Sequence, residues 1–209
     1  MRGGWRSKAA STGALLAALA LAACGGSGSH PTTATQTADV SSTASQAATS
    51  AESTEKVPNV NLAVHISVLH GVAGARTIPR RYTCDGADAS PPVSWGKVPS
   101  NTAEIDLFVV SLENGSEYAS WAVAGIPAKA RSLSAGRLPH GAVVGRNRFG
   151  RAGYSLCPRK GKTGTYTLLV DPLPRRIPAK SGFNPEQLLD QVIHTAEVEG
   201  ELSFSYKRA

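Results

Sequence analysis

The chain has 209 residues, of which 41% are hydrophobic and 18% are charged, an ordinary balance for a globular protein. Lysine and arginine number 22 against 15 aspartates and glutamates, which gives a formal net charge of +7. Three cysteines exclude a disulfide-dense scaffold, and five scattered histidines leave little for a metal cluster, so neither a metal nor another cofactor is expected. No apolar run reaches the roughly 20 residues that a membrane-spanning helix needs.

Residues 1–24 predict a lipoprotein signal peptide. Three basic residues within 2–8 precede an apolar stretch at about 9–23, which suits a secretory signal. The stretch ends in the sequence LAACG at 21–25, which resembles the bacterial lipoprotein cleavage box, so Cys24 is the expected site of lipidation by palmitate or a similar acyl chain. The lipid anchor would hold the chain at the extracytoplasmic face of a bacterial cell membrane. The alternative is an ordinary signal peptide with an incidental cysteine.

Residues 25–57 predict a disordered tether. They are rich in glycine, alanine, serine and threonine and contain no aromatic residue, so they cannot bury enough apolar surface to fold. As a flexible coil this segment would span roughly 30 Å. The remaining residues, 58–209, are expected to form one domain with a single hydrophobic core.

Apolar runs within 58–209 predict a β-rich domain with long loops. Some of these runs alternate with polar residues and others are nearly continuous, and glycine and proline residues separate them. The predicted strands lie within 62–68, 105–110, 121–126, 166–170 and 201–206.

One helix is predicted near the end of the domain. Asn184 can cap its first turn, Pro185 suits that turn, and Gln187 completes a pair that resembles a capping box. An apolar stripe follows, and it predicts that the helix packs on a sheet. Gly200 is expected to end the segment. The stripe consists of Leu188, Leu189, Val192, Ile193 and Ala196.

Cys84 and Cys157 are the thiols that remain once Cys24 carries a lipid. An exported domain lies outside the reducing cytosol, so the two cysteines can pair. The alternative is two buried free thiols.

Positive charge is concentrated in the middle of the domain. Between Lys129 and Lys180 there are 12 basic residues against the single Asp171. Such an excess should attract anions such as phospholipid headgroups or acidic polymers, although a simply solvated basic face is the alternative. Nucleic acid is not an expected partner, because the stretch lacks interleaved stacking aromatics and the chain is exported.

Enzyme motifs are nearly absent from the sequence. It contains no HExxH, GxSxG, P-loop or zinc-spaced cysteine set. Ser94 and Lys97 match the Ser-x-x-Lys of serine β-lactamases, and a Lys-Thr-Gly follows at 162–164, but Gly96 and Pro99 interrupt the helix that would bring Ser94 and Lys97 together. The chain is therefore not expected to be an enzyme.

Longer strings resemble the phosphatidylethanolamine-binding protein family, in its bacterial branch called Raf-kinase-inhibitor-like. The matching strings lie at 78–86, 90–95, 98–99, 149–154 and 157–158. The resemblance covers about residues 62–207 and implies a mostly β fold, an antiparallel β-sandwich with small peripheral helices. Many members of this branch carry both cysteines, which supports a disulfide between Cys84 and Cys157.

The resemblance also implies a small anion pocket at one end of the sandwich, but this sequence departs from its chemistry. Residues 111–115 stand where the family has an acidic loop, and Ser120 and Gly164 replace two histidines. Losing two charge-assisted hydrogen bonds, at roughly 1.5–3 kcal/mol each, should weaken phosphate binding a hundredfold or more. Arg148 and Arg151 could supply part of the lost charge.

The predicted function is a non-catalytic binding module for a small anionic or phospholipid-headgroup-like ligand. Tyr166, Arg159 and Ser120 would be donors, and Trp121 and Pro158 would be apolar walls. The full predicted ligand site is Ser111, Ser120, Trp121, Pro158, Arg159, Gly164 and Tyr166.

Two alternatives remain open for this site and its surroundings. The wall residues could only pack the loop. The chain could instead act by protein contact, as an inhibitor or modulator of an envelope protease or kinase, through the loops at 111–120 and 131–148.

Overall fold

The computed structural model describes residues 58–113 and 116–209. The predicted signal peptide, the lipidation of Cys24 and the tether at 25–57 lie outside these residues. Within the part that is described, no helix is both long and apolar enough to cross a membrane.

Two sheets make up most of the described domain. The larger has six strands in the order β1-β9-β8-β4-β5-β7, antiparallel except for the parallel pair β1–β9, and the smaller is antiparallel in the order β2-β3-β6. The strands are β1 Asn59–Val60, β2 Val64–His65, β3 Val93–Trp95, β4 Glu104–Glu113, β5 Ser116–Pro127, β6 Ser132–Leu133, β7 Val143–Val144, β8 Thr163–Leu173 and β9 Val198–Lys207, with a 3-10 turn at Arg80–Tyr82 and helix α1 at Pro185–Ile193.

The mostly β, two-sheet architecture confirms the predicted fold class. Four of the five predicted strands fall within the long strands β4, β5, β8 and β9. The first prediction, 62–68, was too long, because only Val64–His65 pairs with a neighbouring strand. Ser94 lies in β3, so no helix brings it to Lys97.

Strand β4 is buried on both faces of the larger sheet over residues 104–109, which explains its nearly continuous apolar sequence. Leu107 and Val109 point toward a core that includes Trp95 of the smaller sheet. Phe108, between them in sequence, belongs to a second core, shared with Val192 of α1. The predicted packing of the helix on a sheet is confirmed.

The N-terminus of α1 is capped as predicted, but its end differs from the prediction. The Asn184 side-chain oxygen accepts hydrogen bonds from the backbone N–H groups of Glu186 at 2.9 Å and Gln187 at 3.2 Å. The prediction that Gly200 ends this segment was wrong, because the helix ends at Ile193 and Gly200 lies in β9. A Cβ atom at Gly200 would lie 2.3 Å from Cγ2 of Val64, so glycine is needed where the two segments cross.

The predicted disulfide between Cys84 and Cys157 is confirmed, with the two Cα atoms 5.2 Å apart. Arg208 reinforces the junction, because its Nε lies 3.0 Å from Oδ1 of Asp85 and its Nη1 donates to the carbonyl of Pro158 at 3.1 Å. The loop after the 3-10 turn, the loop before β8 and the end of β9 are therefore joined at one place.

Candidate functional site

Three predicted site residues meet at one end of the larger sheet. Ser111 on β4 pairs with Tyr166 on β8 and, on the other side, with Tyr118 on β5. The hydroxyl groups of Ser111 and Ser120 hydrogen-bond to each other, and both residues are buried. Residues paired directly across a sheet point to the same face, so the strands themselves bring these side chains together.

Gly164 gives Tyr166 the space that it occupies. A Cβ atom at Gly164 would lie 2.5 Å from the Tyr166 hydroxyl oxygen and 2.8 Å from the ring carbon that bears it. The Tyr166 ring also stacks on Phe204, with the ring centroids 5.6 Å apart, and the residue is 2% exposed. Tyr166 therefore lies along its own strand, over the position where the resemblance puts a histidine side chain.

Trp121 and Pro158 are buried beside this end of the sheet. The Trp121 ring meets the Tyr154 ring edge to face, with centroids 5.5 Å apart. The Tyr154 hydroxyl in turn donates to the carbonyl of Tyr82 at 2.6 Å. These contacts give Trp121 a packing role, whatever else it does.

Arg159 contributes through its backbone in this structure. Its side chain is exposed, while its backbone N–H donates to Oε1 of Glu113 at 3.1 Å. Lys162 and Arg151, two other basic residues near the site, are also exposed.

The donors at the site converge on the carboxylate of Glu113. Its Oε2 accepts the Tyr118 hydroxyl at 2.6 Å and lies 2.8 Å from Nη1 of Arg148, while its Oε1 accepts the N–H of Arg159. The Arg148 guanidinium also lies over the Tyr118 ring, 4.0 Å from its centroid, and bonds the Tyr118 hydroxyl. We call these four residues, Glu113, Tyr118, Arg148 and Arg159, the Glu113 cluster.

The surroundings set the protonation of the cluster. Burial alone would raise the pKa of Glu113, but the bonds from Tyr118, Arg159 and Arg148 outweigh it, so the pKa is lowered and the group is a carboxylate at neutral pH. Burial raises the pKa of Tyr118, and the bond to Glu113 adds to that shift. Burial likewise raises the pKa of Tyr166. Both phenols therefore keep their protons and can donate hydrogen bonds.

Asp88 fixes the segment that leads to Arg159. Its carboxylate accepts the Ser155 hydroxyl at 2.7 Å and the N–H of Leu156 at 3.0 Å. Asp88 has a φ of +49°, a left-handed conformation that aspartate tolerates better than most residues. Asp88 and the disulfide at Cys157 thus hold the Arg159 loop from two sides.

The sequence prediction named part of this site and missed part. Arg148 was named as a substitute cation, and it does point into the site. Tyr118 was missed. Because Glu113 pairs with Ser116, Tyr118 lies opposite Ser111, and a hairpin predicted between β4 and β5 would have found it. Asp88 was also missed, although it lies in the gap between two strings of the family resemblance, 78–86 and 90–95.

A cleft of about 410 Å³ adjoins the cluster. Tyr118 and Arg148 form one wall, and the start of α1, with Asn184 and Glu186, forms another. Arg146 is exposed in the same cleft. Within the described residues, no group of three or more histidine, cysteine, aspartate or glutamate residues could hold a metal ion.

Two packed sheets with a cluster of hydrogen-bond donors around the Glu113 carboxylate at one end define a small β-sandwich protein of the ligand-binding class. A family model described as phosphatidylethanolamine-binding protein matches residues 70–206, and the chain belongs to this family.

Several curated relatives are similar to this chain. A UPF0098 protein of Methanothermobacter thermautotrophicus is 33% identical over 138 residues, which are 63% of this chain and 91% of that protein. LppC of Mycobacterium tuberculosis, named as a candidate lipoprotein, is 33% identical over 126 residues, which are 57% of this chain and 62% of LppC.

Solved structures share the fold. The crystal structure of Escherichia coli YbcL, described as a member of the mammalian PEBP family, aligns with a TM-score of 0.64 and 27% identity over 71% of this chain and 99% of YbcL. The homologue CT736 of Chlamydia trachomatis aligns with a TM-score of 0.63 and 23% identity over 72% of this chain and 99% of CT736, a likeness of fold.

Proposed function

We propose that this protein is a non-catalytic binding protein for a small anionic or phospholipid-headgroup-like ligand, held at the extracytoplasmic face of a membrane by a lipid on Cys24. The observation that carries the ligand class is the convergence of Arg148, the Tyr118 hydroxyl and the Arg159 N–H on one carboxylate. Charge-assisted donors in such an arrangement suit any oxyanion with two acceptor oxygens, and a phosphate monoester is one.

The chemistry of the site favours binding over catalysis. Its cation and its protonated phenols stabilise negative charge, which serves recognition directly. The hydroxyls of Ser111 and Ser120, two buried candidate nucleophiles at this end of the sheet, bond to each other. An activated serine would instead need a neighbouring base.

Two observations support the membrane anchor. The LAACG sequence at 21–25 resembles a lipoprotein cleavage box. LppC, a relative that is 33% identical to this chain over 126 residues, is named as a candidate lipoprotein. Mass spectrometry of the membrane-extracted chain should find diacylglycerol on Cys24, and C24A should release the protein from membranes. An unmodified Cys24 in membrane-extracted protein would contradict the anchor.

Titration of the full chain tests ligand binding. Inorganic phosphate and phosphoethanolamine are added separately, and NMR chemical shifts report binding, so that a free phosphate and a headgroup can be distinguished. We expect saturable shifts that R148A abolishes and that R137A leaves intact, because Arg137 is exposed on the segment between β6 and β7. No saturable change in a folded chain at millimolar concentrations of either probe would overturn the proposal.

The protein-contact alternative has one observation in its favour. Beside the cluster, Arg146 lines the cleft and the neighbouring Phe149 is 48% exposed, a mixture of charge and apolar surface that suits a protein interface. A partner that copurifies in a fixed ratio, is lost with R146A and is kept with R137A would favour this function. Insensitivity of that complex to phosphate would separate it from ligand binding.

A further inference from the structure

We infer that Glu113 is an internal occupant of the anion site, which an external oxyanion must displace before it can bind. This inference rests on the proposed function, because it concerns regulation of the same site. It predicts that the wild-type chain binds its ligand more weakly than the same donors would bind it if the Glu113 carboxylate were absent.

Glu113 engages every donor of the cluster. One carboxylate oxygen accepts from Tyr118 and Arg148, and the other accepts from the backbone of Arg159. The carboxylate is charged at neutral pH, since these bonds lower the pKa of Glu113. A second oxyanion cannot use the same donors while this carboxylate stays in place.

The donors are held in position by contacts that do not involve Glu113. The Arg148 guanidinium lies over the rings of Tyr118 and Phe149, 4.0 Å and 5.2 Å from their centroids. Tyr118 belongs to β5, and the Arg159 loop is held by the Cys157 disulfide. If the Glu113 side chain rotated away, the donors would remain preorganised for another anion.

Glu113 is also placed where it can leave. It is the last residue of β4 and its side chain is 8% exposed, so rotation about its own side-chain bonds can carry the carboxylate toward solvent without moving the strand. The Arg148 side chain is 19% exposed, which gives solvent a path to the guanidinium. An external oxyanion that reaches Arg148 would therefore compete with Glu113 for the same bonds.

The experiment compares phosphate and acetate binding to the full wild-type chain, E113A, E113Q and the matched control E201Q, whose Glu201 is exposed on β9. We expect E113A to bind both anions at least tenfold more tightly than wild type. E113Q, which keeps an acceptor for Tyr118, should bind them more tightly than wild type and less tightly than E113A. E201Q should match wild type, and R148A introduced into E113A should abolish binding.

The outcomes separate this inference from the proposed function. Equal phosphate affinity in wild type, E113A and E113Q would overturn the inference and leave the proposed function intact. Absence of binding in folded wild type alone would overturn the proposed function, and absence of binding in every folded variant would overturn both. The conservative E113Q variant keeps the test valid if E113A fails to fold, which a thermal melt of each variant checks.

Discussion

Asp106 on β4 and Asp171 on β8 lie directly opposite each other in the larger sheet, and both are buried. Within the described residues, Oδ2 of each carboxyl group has no hydrogen-bond partner, while Oδ1 of Asp106 accepts the N–H of Gly125 at 2.9 Å. Two charged carboxylates this close together in a buried place would repel each other strongly, so the pair holds at least one proton near neutral pH.

Burial raises the pKa of Asp106 to about 7, and the nearby charge of Glu104 adds to this. Burial also raises the pKa of Asp171, helped by the charges of Glu199 on β9 and of Asp106. Glu104 is the neighbouring acidic residue on β4. Burial raises the pKa of Glu104 as well, although the charge of nearby Arg176 acts to lower it.

These shifts predict that stability falls as the pH rises. The pKa of Asp106 is about 7 in the folded state against an ordinary value of 3.8, so the folded state alone keeps this proton between those values. The free energy of unfolding should fall by up to about 1.4 kcal/mol per pH unit through this window, and this contribution is gone above it. Urea denaturation at pH 5, 6, 7 and 8 measures the slope.

D106N should reduce this slope without removing it, because the amide stays neutral and its oxygen still accepts from Gly125, while burial keeps the pKa of Asp171 raised. At pH 8 the D106N variant should also be more stable than wild type. E201Q is the matched control, since Glu201 is exposed on β9 and its replacement should leave the slope unchanged. A wild-type slope that D106N does not alter would show that other groups cause it.

G164A should destabilise the fold and disturb Tyr166. Because the new Cβ atom would lie 2.5 Å from the Tyr166 hydroxyl oxygen, the ring must move, at a cost of about 1–3 kcal/mol. G96A is the control, since the nearest atom there is 3.8 Å away. Y166F added to G164A should recover only part of the loss, because the ring carbons at 2.8 and 3.0 Å remain. Equal stability of G164A and G96A would contradict the packing described.

Removing the disulfide should lower stability substantially. C84A/C157A releases a link between cysteines 73 residues apart in sequence, and its loss should lower the free energy of unfolding by roughly 4 kcal/mol. Chemical denaturation of the variant and of reduced wild type should agree. A loss below about 1 kcal/mol would mean that Arg208 and its partners hold the junction unaided.

N184A should lower the free energy of unfolding by about 0.5–2 kcal/mol, because two backbone N–H groups at the start of α1 lose their acceptor. N184D keeps an acceptor oxygen and should stay close to wild type. Thermal melts of the two variants provide the comparison, and equal melting temperatures would show that water replaces the cap without cost.

Local patterns were enough to predict the four long strands and the start of the helix, and long-range contacts explain what they missed. Asn184 and Pro185 act within one turn, so sequence alone could place them. Gly200 resembled a glycine that ends a helix. Glycine is needed there because a side chain would clash with Val64, which is far away in sequence. A single sequence does not show that two such distant segments cross each other in the fold.

Several residues of the candidate site could be predicted from the sequence, but the directions in which the loop side chains point could not. Tyr166 and Ser120 follow from strand positions, since alternation decides which face each occupies. Arg148, Arg151 and Arg159 lie in loops, and alternation does not apply there. Only the folded loops show that Arg148 points inward and that Arg159 acts through its backbone.

The Glu113 cluster is assembled from the tip of one hairpin and two loops, and none of its four residues belongs to either apolar core. Under the proposed function, substitutions or length changes at that tip can therefore alter what the protein recognises while its framework stays unchanged. Ligand preference and folding stability can then evolve independently in such a molecule. The β4–β5 tip is therefore the segment to exchange between relatives when recognition is to be re-engineered.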